Sequence, residues 1–373
     1  IFILTGEPSG DKLASKVIKY IKEQESNVEF LSVGGIHLKS EGVNSIYDLS
    51  QVTYLGFTNV LLNIFKIRKK INYTVDKIIQ FKPDILFSVD SPDFTLRISK
   101  KVKSLNPNIK TIHFVAPKVY VWREHRVKKL KLFLDHILLL FPFEKKYFDK
   151  ENIKSTFVGH PLLDILRKDT VNSSNLLKEN KKIISIFPGS RLSEIKTLMP
   201  IIIKFINLVQ KNDNNFLFIF HSTIEFKIIL ENYISNSSIK YYQVVTDENI
   251  KHDILSKTFF AIAKSGTISL EISNAKIPSM IIYKMNFINF FIVKLLAKIR
   301  YANILNIIAD SHIIPELLQS DCNPNKIFSV FKSYIEDEGK RKSQIFNCDK
   351  ILNTLKVEVP SRKKIADILL KEI

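Results

Sequence analysis

Short continuous runs of Ile, Leu, Val and Phe alternate along this chain with stretches of helical spacing, and glycine-rich or polar loops follow the runs. The first set of runs is Ile1–Thr5, Val28–Val33, Asp84–Val89, Thr111–Val115, His136–Phe141 and Thr156–Val158. Apolar runs without strict alternation suit strands covered on both faces. Strands that alternate with helices imply right-handed βαβ units and parallel sheets. After Asp164 comes a polar stretch, Asp169–Lys182, and the pattern then restarts. The second set is Lys182–Phe187, Asn215–Phe220, Tyr241–Val245, Thr258–Ala263 and Ser279–Tyr283. At 373 residues the chain has room for two domains of about 150 residues each. The expected fold class is therefore α/β, with two doubly wound domains over 1–168 and 169–345. The tail, 346–373, carries Ile365, Ile368, Leu369 and Ile373 at helical spacing and is expected to pack back on an N-terminal domain.

Doubly wound sheets place their ligands beyond the carboxyl ends of the strands, so the loops there are the candidates for chemistry. Gly6-Glu7-Pro8-Ser9-Gly10-Asp11 follows the first run. Its glycines allow close backbone approach, and the next helix start offers N–H groups to an anion or a sugar oxygen. It can equally be a plain strand-to-helix turn with Asp11 near the helix start. Asp90, in Val89-Asp90-Ser91-Pro92-Asp93-Phe94, ends an apolar run, where a carboxylate could act as general base or could cap a helix. In Phe187-Pro188-Gly189-Ser190-Arg191, Gly189 lets backbone approach a phosphate, with Ser190 beside it. Arg191 can bind phosphate oxygens through two N–H groups, or it can pair with Glu194. In Lys264-Ser265-Gly266-Thr267-Ile268-Ser269-Leu270-Glu271, small groups open a helix in a way that suits a diphosphate. Glu271, one turn beyond Thr267, can accept from ribose hydroxyls or simply favour the helix start.

Several function classes are excluded. There is no Gly-x-Gly-x-x-Gly fingerprint, Walker lysine or Gly-x-Ser-x-Gly elbow. The histidines show no metal-ligand spacing, and Cys322 and Cys348 read as reduced thiols of a cytosolic protein. Neither a metal nor another cofactor is expected. The formal charge of +19 favours anionic partners or reflects a general excess of Lys, and without a recognition motif it does not point to nucleic acid. No run reaches the roughly 18 apolar residues of a membrane span. The stretch 59–71 instead places Val60, Ile64, Ile67 and Ile71 on one helical stripe, widened by Leu61 and Phe65, with Lys66, Lys69 and Lys70 opposite. Such a helix suits the headgroup boundary of an anionic bilayer, or its own core. Phe287–Tyr301, with Lys294, Lys298 and Arg300, is a second patch of this kind.

Read in order, these segments resemble the lipid-A-disaccharide synthases. The matching pieces include residues 6–11, Val33-Gly34-Gly35, Leu55-Gly56, 90–94, 111–122, 139–148, 157–164, 187–194 and 265–271. The resemblance implies a GT-B glycosyltransferase, two Rossmann-like domains facing across a cleft, the first binding acceptor and membrane and the second the UDP-sugar. It implies inverting transfer of 2,3-diacylglucosamine from its UDP donor to the 6-hydroxyl of 2,3-diacylglucosamine 1-phosphate at the inner-membrane surface. The product is the β-1,6 lipid A precursor, and no metal is expected. Carried over, Asp90 is the base, Glu7 orients substrate, Arg191 and Ser265–Thr267 offset charge on UDP, Glu271 holds the ribose and Asn306 lies near the donor. Two departures stand out: Ile36-His37-Leu38 after Gly35 where Pro-Arg-Met is usual, and Leu305 and Asp310 where the family has Pro and Gly. Family members can be dimers with exchanged C-terminal elements, which leaves a homodimer open. Other readings of the same fold are a UDP-GlcNAc epimerase, the transferase of peptidoglycan lipid, or a non-catalytic membrane-binding protein.

Overall fold

The computed structural model describes residues 1–52, 64–121, 127–164, 181–286, 290 and 300–373. They fall into two compact units, Ile1–Asp164 with Leu355–Ile373, and Ile165–Thr354.

The first unit is built on a seven-stranded sheet of β1 (Phe2–Thr5), β2 (Leu31–Val33), β3 (Asn44–Ser45), β4 (Ile85–Val89), β5 (Lys110–Phe114), β6 (His136–Leu139) and β7 (Ser155–Phe157). The order is β3-β2-β1-β4-β5-β6-β7 and every pairing is parallel. The chain therefore winds outward from β1, returns, and lays β4 on the other side of β1. Phe2, Ile3 and Leu4 are fully buried, as a strand covered on both faces requires. β3 has two exposed polar residues and gives no apolar signal, so the sequence does not announce it.

The helix Pro8–Gln24 buries Ala14, Val17, Ile18 and Ile21, and the last helix, Ser361–Leu370, adds Ile365, Ala366 and Leu369 to the same cluster. The returning chain is fastened to the end of the outgoing one. The Asp164 carboxylate accepts from the Ser361 backbone N–H at 2.8 Å and from the Ser361 hydroxyl. Gly159 has φ +87°, and a Cβ there would come within 2.6 Å of Val357. This return begins at Leu355, not at 346. The helix Glu338–Leu355 stays with the second unit up to Thr354, where the Gln344 amide bonds both backbone groups of Ser279, at 2.7 and 2.9 Å.

The helix Ile64–Phe81 takes the inner part of the apolar stripe expected at 59–71 into the core. Ile67 packs against the core, followed by buried Ile71, Val75 and Ile78, so most of the described stripe continues into the interior. Of the two expected membrane residues whose side chains are described, Phe65 is 82% exposed beside exposed Lys66, Arg68 and Lys69. Val60, Leu61, the side chain of Ile64, Leu55-Gly56, Trp122 and most of Phe287–Tyr301 lie outside the described residues.

The second unit repeats the winding with β8 (Lys182–Phe187), β9 (Phe216–His221), β10 (Tyr242–Val245), β11 (Thr258–Lys264), β12 (Ser279–Tyr283) and β13 (Glu316–Leu318), ordered β10-β9-β8-β11-β12-β13 and parallel throughout. Phe331 anchors its core, meeting the rings of Phe205, Phe216 and Phe260 edge-on at centroid distances of 5.3 to 5.6 Å. Both cysteines are free and buried, and burial pushes each thiol up to about 11. No described helix is long and apolar enough to cross a membrane.

Burial also holds His113 and His160 down at about 4 and His221 at about 3. A depressed folded value means that the unfolded chain binds protons which the folded one refuses. Stability is full above the ordinary histidine value and is lost as pH falls toward 4, by about 3 kcal/mol per buried ring. Denaturant midpoints measured from pH 7.5 to 4 should fall below about 6.5, and His221→Gln should flatten that slope.

Candidate active site

In both sheets the strand order reverses beside the first strand, between β1 and β4 and between β8 and β11. Loops diverge at such a switch point and leave a crevice at the carboxyl edge. The four loops singled out in the sequence are the loops that leave these four strands.

At the first switch point the two loops are pressed together. A Cβ on Gly10 would meet the Val89 carbonyl at 2.9 Å, and one on Gly6 would meet the Ser91 Cβ at 2.6 Å. Only glycine permits this approach of the helix start to the end of β4. Asp90 and Ser91 both take left-handed backbone, φ +57° and +46°. Non-glycine residues adopt it at a cost of about 1–3 kcal/mol each, and such strain clusters at functional sites. Here it is offset in part, because the Asp90 N–H donates to the Phe114 carbonyl at 2.9 Å and Asp90 Oδ1 accepts from the Ser91 N–H at 2.8 Å. Asp90 Oδ2 accepts from the Ser9 hydroxyl at 3.3 Å, in an exposed contact. The result is a half-buried carboxylate fixed at one oxygen and open to a second hydroxyl at the other. Glu7 stands at the N-cap of the helix Pro8–Gln24, half-buried.

Asp11 is not part of this surface. It is 1% exposed, and its carboxylate accepts from the backbone N–H groups of Gly35, His37 and Leu38 at 2.7, 2.9 and 3.3 Å. Those bonds read backbone, which is why Ile36-His37-Leu38 can stand where other side chains are usual. Asp11 belongs to the scaffold, not the substrate loop.

At the second switch point Gly189 has φ +122°, and the space its Cβ would fill is taken by the Glu194 carboxylate, 2.6 Å away. Arg191 is 60% exposed and only loosely held, 3.9 Å from Glu194. Ser265 donates its hydroxyl to the Ala302 carbonyl at 2.8 Å, so it braces the loop by its side chain and can offer a ligand its backbone. Gly266 and Thr267 are exposed at the start of the helix Ile268–Asn274. A Cβ on Gly266 would meet only the Lys264 carbonyl, at 3.9 Å. An exposed guanidinium and free loop backbone suit a diphosphate. Glu271 is held by Lys251 at 2.8 Å, and Lys251 also reaches Glu248 at 3.0 Å. Burial opposes the Lys251 charge, but the two carboxylates outweigh it and hold the ammonium above its ordinary range. The sequence gives no sign of this lysine, which lies on a different helix.

Asn306 is turned into its own loop. It is fully buried, and its Nδ2 donates to the Ile314 carbonyl at 2.7 Å and to Glu316 at 2.8 Å. Its Oδ1 accepts from the Ile313 and Ile314 N–H groups at 3.0 and 2.9 Å, which uses the whole hydrogen-bonding capacity of the amide. Glu316 in turn accepts from the Ala302 and Asn303 N–H groups, each at 2.8 Å. Asn306 thus shapes the segment that braces Ser265. Asp310, where a glycine is usual, has φ +47° at the end of the helix Ile304–Ala309, so the left-handed cap is kept with a residue that tolerates it. Among the described residues no group of three His, Cys, Asp or Glu could hold a metal ion.

Comparison with known proteins finds relatives along nearly the whole chain. The family model for lipid-A-disaccharide synthetase matches residues 1–369. The lipid-A-disaccharide synthase of Rickettsia prowazekii is 35% identical over 96% of this chain and 94% of its own length. That of Rhodospirillum centenum is 27% identical over all of this chain and 94% of its own. Solved structures share the fold at lower identity. A UDP complex of MnaA from S. aureus superposes with TM-score 0.68 at 15% identity, covering 100% of this chain and 97% of its own. The UDP-GlcNAc 2-epimerase of Neisseria meningitidis, bound to UDP-GlcNAc, gives 0.65 at 15%, covering 99% of each chain.

Asn306→Ala should orphan the buried N–H groups of Ile313 and Ile314 and cost about 2–4 kcal/mol in chemical denaturation. Asn306→Asp, which keeps the acceptor but sets a second carboxylate against Glu316, should be no better.

Proposed function

The chain belongs to the lipid-A-disaccharide synthase family and is a glycosyltransferase, and we propose that it moves 2,3-diacylglucosamine from its UDP donor to the 6-hydroxyl of 2,3-diacylglucosamine 1-phosphate with Asp90 as the base. The acceptor hydroxyl gives its proton to Asp90 Oδ2 as its oxygen attacks the anomeric carbon of the donor. The bond from that carbon to the diphosphate oxygen breaks, and UDP departs with the electron pair. Arg191 and the backbone of Ser265, Gly266 and Thr267 offset the charge that develops on UDP, and a pre-set array of this kind avoids reorganisation during the reaction. Glu271, oriented by Lys251, receives the ribose hydroxyls, and Glu7 helps to orient the acceptor.

One observation carries this reading. Every loop assigned a role leaves a strand that flanks a switch point, and Asp90 keeps strained backbone there. The UDP and UDP-GlcNAc complexes named above belong to proteins of the same fold and support a UDP-sugar as the donor. Both proposed reactants carry acyl chains, so the enzyme works at the anionic inner-membrane surface. Exposed Phe65, among Lys66, Arg68 and Lys69, is the described part of the face that meets it.

Mass spectrometry of products from acylated UDP-glucosamine and its 1-phosphate should show the disaccharide phosphate, and disaccharide formed only from a non-acylated donor rejects the assignment. Asp90→Asn should lower kcat by about 10²–10⁴-fold with an unchanged unfolding midpoint. Full activity of that variant would remove the base. Phe65→Ser should weaken sedimentation with anionic vesicles without loss of stability, since Phe65 contributes nothing to the core.

A further inference from the structure

We propose that Glu194 is the positioning residue of the diphosphate site, with Lys264 as its counter-ion, so that one carboxylate sets both phosphate loops of the second unit. The inference rests on the donor site proposed above and adds two residues to it. Glu194 lies in the first turn of the helix Leu192–Asn212, 11% exposed. Its Oε2 accepts from the Ser190 N–H at 3.1 Å and sits where Gly189 lacks a Cβ, which fixes the loop after β8. Its Oε1 lies 3.0 Å from Nζ of Lys264, the last residue of β11 and the one before the loop Ser265–Thr267. Lys264 is 20% exposed, and its ammonium lies 5.3 Å from the centre of the Tyr283 ring at the end of β12. Burial, followed by the Glu194 charge, raises the Tyr283 phenol, as expected of a ring beside that carboxylate.

The arrangement has a definite electrostatic sense. A carboxylate this close to a diphosphate repels it unless its charge is cancelled, and Lys264 cancels it at contact distance. Arg191, at 3.9 Å and exposed, is left to the ligand. Removing Lys264 therefore does more harm than removing the pair, because it leaves a half-buried anion facing the nucleotide.

The test is calorimetric titration of UDP into the full chain. Lys264→Met should raise the UDP Kd by about 30-fold, and Glu194→Gln, which still accepts from Ser190, by about 10-fold. Adding Glu194→Gln to Lys264→Met should tighten binding relative to Lys264→Met alone, a rescue that loss of a merely structural contact does not give. Lys264→Arg should stay within about 3-fold of wild type and keeps the idea testable if the Met variant unfolds. Unchanged affinity in Lys264→Met, or a double variant no tighter than Lys264→Met, overturns the proposal. If wild type fails to bind UDP, the donor-site reading itself is rejected. If Arg191→Ala binds UDP normally while the Lys264 series behaves as stated, Arg191 loses its role and Glu194 keeps its own.

Discussion

Strands buried on both faces leave little room for polar side chains along their length, and this constraint organises the whole chain. Phe2, Ile3, Leu4, Ile184 and Ile186 are fully enclosed, and neither face of their sheets is available for chemistry. Charged groups are displaced to the strand ends, and at the carboxyl ends the loops must turn within a few residues into helices. The switch points at β1/β4 and β8/β11 then decide which loops stand beside an open crevice. Gly6, Gly10 and Gly189 follow from the same crowding, since each leaves room for a neighbouring loop or carboxylate that any side chain would displace.

The polar residues near these loops divide by how completely their bonds are used. Asn306 and Asp11 are buried, Asp11 bonded to backbone N–H groups and Asn306 to backbone and the Glu316 carboxylate. They hold segments in shape and have little left for a ligand. Arg191 is exposed and weakly paired, and Asp90 keeps one oxygen in an exposed contact. Glu271 and Glu194 lie between these extremes, each anchored by a lysine that offsets its charge. A ligand is met by groups with capacity to spare, and those groups are aimed by others that have none.

Much of this was legible in the residues alone. The apolar runs located eleven of the strands, including all four that flank the switch points, because continuous Ile, Leu, Val and Phe leave a signal independent of partners. β3 and β13 were missed because short edge strands with polar or half-buried residues lack that signal. Asp90, Gly189, Arg191 and Ser265–Thr267 were found from their position after such runs. Asp11 enters the site by its position in the loop after β1, and Asn306 by the family resemblance alone; neither shows which way a polar side chain's bonds run. Lys251 depends on a contact between two helices, and the Glu194–Lys264 pair joins residues 70 positions apart in the chain, so neither has a local signature. On 59–71, the periodicity was real, but Ile67 shows that its inner part serves the core.

The clip between Asp164 and Ser361 joins residues 197 positions apart, and the helix behind Ser361 supplies Ile365, Ala366 and Leu369 to the first core. During synthesis, the amino-terminal sheet is therefore finished well before the helix that completes its cover has been made. Until then the apolar side of Pro8–Gln24 is left partly open, while the second unit already has all its strands. A truncation ahead of Ser361 would therefore strike the unit that is translated earliest.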